Sequence, residues 1–140
     1  MTIDDKVKAL STVGLLAGWS KRELRTAARL CSEKRVEEGF VLTTQGAPGW
    51  DCFMIAAGEA TVAIDGRVVA AVGPGDHVGE ISLIDGRRRT ATVVAVTPMT
   101  LYVMPGVDFR LLLNTSPGFA VKVLTSLVGR LRDTETGSQH

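Results

Sequence analysis

The chain is poor in cysteine and histidine, has no excess of one charge, and carries no long hydrophobic run. Cys31 and Cys52 are its only cysteines, and no CxxC spacing joins them. Two such thiols suggest neither a metal knot nor a disulfide framework, and they fit a reducing cytoplasm. The histidines are His77, expected at a turn, and the terminal His140. A barrel metalloenzyme needs several histidines converging on one ion, so no metal site and no cofactor are expected. No G-x-S-x-G elbow occurs and neither cysteine has an evident histidine partner, which argues against nucleophilic catalysis. Sixteen Lys+Arg stand against 15 Asp+Glu, for a net charge of +1. No global basic field therefore points to nucleic acid or an anionic membrane. No apolar run approaches the ~20 residues of a membrane span. The opening "MTIDDKVKAL" is charged from residue 4, unlike a signal peptide. What remains is a non-enzymatic domain expected in the cytoplasm. Its 140 residues suit one core, and 45% hydrophobic with 22% charged residues is a globular composition.

The ends read as helix and the middle as strand. Ile3, Val7, Leu10, Val13 and Leu16 recur at spacings of three and four, an amphipathic stripe over residues 3–16 that Gly18 breaks. Ser20 with Glu23 forms a capping box opening a second helix through Leu24, Ala27, Ala28 and Leu30. From Val36 to Val103, short runs ("FVLTT", "CFMIAAG", "ATVAI", "RVVAAV", "TATVVAV", "TLYVM") alternate with glycine-bearing turns. Asp65-Gly66, between the third and fourth runs, signals a tight hairpin. The fold class expected is mainly β with flanking helices: an eight-stranded jelly-roll β-barrel, N-terminal helices and two C-terminal helices. The first C-terminal helix is "VDFRLLLN", with Asp108 near its start. The second opens at Ser116-Pro117 and carries an apolar stripe (Phe119, Val123, Leu124, Leu127, Val128, Leu131) to about residue 134. That stripe suits core or a dimer seam. No internal repeat or linker divides the chain. The expectation is one domain over 1–140, with helices to 33, the barrel over 34–104 and the C-terminal helices over 105–134.

One stretch, "GPGDHVGEISLIDGRRRTATVVAV" at 73–96, asks for a ligand. Its glycines at 73, 75 and 79 let the backbone bend sharply and approach a small molecule. Glu80 follows, then "ISLI" can form one helical turn whose free N–H groups favour an anion. Nine residues beyond Glu80 stands Arg89, whose planar fork suits two phosphate oxygens, and Thr90 adds a hydroxyl. A cation, backbone donors and a hydroxyl serve a phosphate, while a carboxylate accepts from sugar hydroxyls. A small phosphorylated sugar ring is the natural guest. Hydrogen bonds to charged groups are worth roughly 1.5–3 kcal/mol each, against about 0–1 kcal/mol for an exposed ion pair of Arg89 with Asp85 or Glu80. Arg87 and Arg88 read as a solvated loop.

Residues 79–93, "GEISLIDGRRRTATV", resemble the phosphate-binding cassette of cyclic-nucleotide-binding domains: Gly-Glu, a short apolar helix, a loop, then Arg, a small or hydroxyl residue and Ala. The resemblance extends over nearly the whole chain, through "LLAGWSKRELRTAARL", through "EEGFVLTTQGAPGWDCFMIAAGEATV" with glycines 39, 46 and 58 at turns, and through "VDFRLLLNTSP". It is to catabolite-activator-like and protein-kinase-A-regulatory-subunit-like sensor domains. The resemblance implies that Gly79, Glu80, Ile81, Ser82, Arg89, Thr90 and Ala91 line a site for cAMP, with cGMP as the alternative. In it Glu80 takes the ribose 2′-OH and Arg89 the cyclic phosphate. N–H groups near Ile81 and Ser82 meet phosphate or sugar oxygens, and Thr90 meets phosphate or base. Thr134, 17 residues past Pro117, falls near a threonine that contacts adenine in catabolite-activator-like members.

Three departures stand out. Val78 replaces a usual aromatic, Arg88 replaces a common proline so that the loop is less pre-ordered, and Thr90 in place of alanine leaves cAMP against cGMP open. The expected function is a sensor or regulatory module whose C-terminal helices move on binding. Its partners would be the cyclic nucleotide and either an unidentified protein effector or a second copy joined through the C-terminal helix. The initial methionine suggests a true start. If the sequence is complete, no helix-turn-helix fits and direct DNA binding is not expected. The alternatives are a sensor cut from a channel, kinase, acyltransferase or transcription regulator, and a ligand-free interaction scaffold.

Overall fold

A computed structural model describes residues 2–135. The opening stripe makes a shorter helix than its spacing predicts. Helix α1 spans Ile3–Leu10, capped by a Thr2/Asp5 box, and a separate 3-10 turn spans Gly14–Leu16. Ser11 and Thr12 hydroxyls donate back to the carbonyls of Lys8 and Ala9, at 2.6 and 2.7 Å, closing α1 where unpaired carbonyls need donors. The apolar spacing persists across the break because Val7, Leu10, Val13 and Leu16 all enter one core. Helix α2 (Lys21–Leu30) starts at the expected capping box, with Ser20 Oγ accepting from Glu23 N–H and Glu23 Oε1 from Ser20 N–H.

Eight antiparallel strands follow: β1 (Ser32–Val36), β2 (Val41–Thr43), β3 (Asp51–Ala57), β4 (Ala60–Ile64), β5 (Arg67–Val72), β6 (His77–Val78), β7 (Thr92–Ala95) and β8 (Met99–Pro105). They form two four-stranded sheets, ordered β1-β8-β3-β6 and β2-β7-β4-β5. Six strands coincide with the six runs read from the sequence. The others, β1 ("SEKRV") and β6 (two residues), lack the apolar alternation that marks a strand. The Asp65-Gly66 hairpin joins β4 to β5 with both residues at positive φ, +53° and +79°, the geometry of a type I′ turn.

The first sheet is covered on both faces, which explains why β3 is continuously apolar from Cys52 to Ala57. Successive strand residues point to opposite faces. From β3, Cys52 and Met54 join the helices in one core, and Phe53 and Ile55 join the barrel interior in another; β8 divides Tyr102 and Met104 from Met99 and Leu101 in the same way. Each fully buried large apolar side chain is worth about 1.5–3 kcal/mol. The helical core is closed by α4 (Gly106–Thr115) and α5 (Pro117–Glu135). Phe119 of α5 meets Phe109 of α4 edge-on at 5.3 Å and Trp19 at 5.7 Å between ring centroids. The α5 stripe divides: Phe119 and Val123 are buried, while Leu124, Val128 and Leu131 are exposed. Among the described residues no single helix is long and apolar enough to cross a membrane.

Candidate functional site

The site begins where β6 ends. Gly79 turns the chain at φ +96°, and a Cβ there would fall 2.6 Å from Arg89 Nη1 and 2.8 Å from the Asp51 carbonyl oxygen. Glycine alone meets both demands, backbone conformation and space. The turn launches α3 (Glu80–Asp85), whose start no side chain caps, so its first N–H groups are left to other acceptors.

Arg89 comes back toward that turn from the following loop. Its own backbone is clamped, its N–H donating to the Ala47 carbonyl at 2.8 Å and its carbonyl accepting from Gly46 N–H at 2.9 Å. The residue is 8% exposed. Nη1 donates to the Gly79 carbonyl at 2.7 Å and to Ser82 Oγ at 3.0 Å, and Nη2 donates to the Asp51 carbonyl at 2.8 Å. These three bonds engage three of the five guanidinium N–H groups and fix the plane of the fork. All three acceptors are neutral. Burial pushes the guanidinium down from its ordinary value, opposed by Cys52, Asp51 and Glu80. A buried cation on neutral acceptors is the kind of group an incoming anion stabilises.

Gly49 backs the arginine from the other side. A Cβ on it would lie 2.2 Å from Ser82 Oγ and 2.9 Å from Arg89 Cζ and Nε. Glu80, 1% exposed, places Oε1 3.2 Å from Nε2 of His77, which is 7% exposed. His77, expected at a turn, is therefore a buried residue of strand β6.

These groups open on a cavity of about 670 Å³, a size that holds a small ligand. Gly79, Glu80, Ile81, Ser82, Arg89, Thr90 and Ala91 all line it, opposite an apolar wall from Val62, Ile64 and Val69–Val72 of the β4/β5 hairpin. Seven of the eight residues singled out in the sequence thus meet in one place. The eighth, Thr134, lies in α5, but its side chain is outside the described residues. Sequence reasoning missed Thr43, His77 and Ser126, which also line the cavity, and Gly49 and Asp51, which hold Arg89. Arg88 is exposed in the loop, as its reading as a solvated loop residue expects, and its Nη1 donates to the Gly46 carbonyl at 3.0 Å. Asp85 accepts not from Arg89 but from the Arg87 N–H, at 2.8 Å.

The cassette is fastened to the C-terminal helices. Arg110 Nε of α4 donates to the Leu83 carbonyl of α3 at 3.0 Å. The Leu83 side chain, 1% exposed, sits in the helical core with Phe109 and Leu112, and a Cβ on Gly106 would fall 2.9 Å from its Cδ2.

Residues 33–116 match the family model described as "Cyclic nucleotide-binding domain". An uncharacterized protein of Mycobacterium tuberculosis is 36% identical over 109 residues, which are 78% of this chain and 20% of that one. The cAMP-dependent protein kinase regulatory subunit of Yarrowia lipolytica is 30% identical over 111 residues, 79% of this chain and 30% of that one. Among solved structures, the Thermus thermophilus catabolite activator protein superposes with a TM-score of 0.79 at 27% identity, over 89% of this chain and 61% of that one. The chain spans less than a third of the length of the two curated relatives.

Proposed function

This chain belongs to the cyclic nucleotide-binding domain family, and we propose that its cavity captures cAMP and passes the event to α4 and α5. The cyclic phosphate sits at the two remaining N–H groups of Arg89 and the uncapped N–H groups of Ile81 and Ser82. Glu80 accepts from the ribose 2′-OH. Gly79 and Ala91 form the close-fitting backbone floor, and the base lies along the apolar hairpin wall. The observation that carries this reading is Arg89: a residue 8% exposed, its guanidinium aimed by three neutral acceptors, on a cavity of about 670 Å³. Similarity to a cAMP-dependent regulatory subunit supports adenine as the base. The Thr90 hydroxyl on the cavity wall supports cGMP as the second reading.

Transmission follows the Leu83–Arg110 connection. A phosphate that draws Arg89 and α3 together moves Leu83 against α4, and the output is a shift between two positions of α4 and α5. The ligand acts to the extent that it binds one position more tightly than the other. The exposed Leu124, Val128 and Leu131 offer that output a surface, toward a protein effector or a second copy. Isothermal titration of nucleotide-stripped protein with cAMP and then cGMP tests the reading. Micromolar or tighter cAMP with weaker cGMP is expected. Equal or reversed preference assigns the base contact to Thr90, and no heat with either nucleotide overturns the proposal.

A further inference from the structure

We infer that Gln45 is a positioning residue for the ligand cavity, its side-chain amide strapping the tip of the β4/β5 hairpin, the apolar wall, to the loop that clamps Arg89. The inference rests on the cyclic-nucleotide reading above and goes beyond it, because Gln45 lies outside the cassette and acts on the ligand only through what it holds.

The hairpin needs such a tie. The ladder of β4 with β7 runs from the Ala60–Ala95 pair to the Ala63–Thr92 pair and ends there. Ile64 and the Asp65-Gly66 turn project past it, and β5 on the other side is an edge strand. A two-stranded ribbon alone is marginal in water, yet Ile64 and Val69 of this one line the cavity. Gln45 supplies a further rung. Its backbone N–H donates to Thr92 Oγ1 at 2.9 Å, which sets the residue level with the end of the ladder. From there Oε1 accepts the Asp65 N–H at 2.8 Å, and Nε2 donates to Asp65 Oδ1 at 2.9 Å. The amide thus meets residue 65 with one donor and one acceptor, as the peptide of a neighbouring strand would. It also holds Asp65 at φ +53°, a left-handed conformation that costs a non-glycine residue energy. The next two residues hold the phosphate end of the site. Gly46 N–H donates to the Arg89 carbonyl at 2.9 Å, and the Ala47 carbonyl accepts from Arg89 N–H at 2.8 Å. One short run, 45–47, therefore fixes the buried arginine and the apolar wall relative to each other. Without the strap the hairpin tip is free to swing, and a ligand must then order it on binding.

The test inverts the pairing. In Gln45→Glu the new carboxylate still accepts the residue-65 N–H, but its second oxygen faces Asp65 Oδ1 where a donor stood, and the like charges push the tip away. Asp65→Asn alone keeps an acceptor for Gln45 Nε2 and suits a positive φ. The two substitutions together restore one donor and one acceptor on each side. Both bonds lie at the exposed surface, so the substitutions leave the two cores intact. Kd for cAMP by titration and Tm by scanning fluorimetry are to be measured on the wild type, the two single variants and the double variant. The expected result is that Gln45→Glu lowers Tm and weakens cAMP by about fivefold or more. Asp65→Asn stays within about twofold of the wild type in affinity, and the double variant returns to within about twofold. Wild-type affinity in Gln45→Glu, whatever its Tm, makes the pair structural only and overturns the assignment. A double variant that binds as weakly as Gln45→Glu overturns it too. Failure of the cyclic-nucleotide reading is separate and visible at once, as a wild type that binds no cAMP.

Discussion

Replacing Gly49 with alanine adds one methyl group 2.2 Å from Ser82 Oγ and 2.9 Å from Arg89 Cζ and Nε. Real contacts of that atom type lie well beyond both distances, so something must move. The serine hydroxyl escapes by rotating about its Cα–Cβ bond, and in doing so gives up the 3.0 Å bond from Arg89 Nη1. The guanidinium has less freedom, because the Gly79 and Asp51 carbonyls hold it from the far side at 2.7 and 2.8 Å. It must tilt, and the tilt falls on the N–H groups that face the cavity. One lost hydrogen bond to a charged group costs roughly 1.5–3 kcal/mol. For a chain of this length that corresponds to a fall in Tm of about 5–10 °C, and an equal loss in binding weakens cAMP about tenfold or more. Differential scanning fluorimetry and titration read the two effects. Gly118→Ala is the control, since a Cβ there meets nothing within 4 Å and the residue is already helical. A Gly49→Ala protein with wild-type Tm and wild-type affinity would refute the claim that Arg89 is held in one geometry by packing from both sides.

Other consequences follow from the same packing. Burial pushes the Cys31 thiol up to about 12 from an ordinary value near 9. The folded state thus holds this proton more tightly than the unfolded chain, and the stability this gives is whole below pH 9 and lost as pH rises toward 12. Urea midpoints measured against pH should fall less steeply above pH 9 in Cys31→Ala than in the wild type; parallel curves would count against it. Leu83→Ala empties a site 1% exposed in the helical core and should cost about 2–5 kcal/mol in urea unfolding. Trp19 packs on Phe119 of α5 at 5.7 Å, so in a Trp50→Phe background its fluorescence reports α5. Adding cAMP should change that signal, and Arg110→Leu, which removes the bond to the Leu83 carbonyl, should shrink the change while leaving affinity within a few-fold. A full-sized signal in that variant would remove Arg110 from the transmission route.

Much of this architecture was legible in the sequence where physical signals are local. A capping box, an Asp-Gly turn and a Ser-Pro helix start each involve a few neighbouring residues, and each is found where the sequence puts it. Strand β1 was not legible, because an edge strand need not alternate: four of the five residues of "SEKRV" are partly or fully exposed. Strand β6 is too short to show any period. The candidate site divides along the same line. The cassette residues could be gathered because 79–91 are contiguous. Gly49 and Asp51 act on Arg89 from 40 and 38 positions away. Asp51 does so through a peptide carbonyl that every residue type possesses, so its side chain gives no warning. Ser126 reaches the cavity from α5, and only the packing of that helix over the barrel selects it from its neighbours. His77 gave a misleading signal, since a lone histidine between a glycine-rich stretch and Gly79 reads as part of a turn. Its burial beside Glu80 becomes visible only once the left-handed turn at Gly79 is drawn.

The most direct test of the central claim is the titration of Arg89→Ala with cAMP beside the wild type, with circular dichroism to show that both are folded. Two hydrogen bonds from a guanidinium to a phosphate are worth at least about 3 kcal/mol together, so affinity should fall roughly a hundredfold or more. A folded Arg89→Ala protein that binds cAMP with near-wild-type affinity would contradict the account, because the phosphate would then be held by something other than the buried arginine.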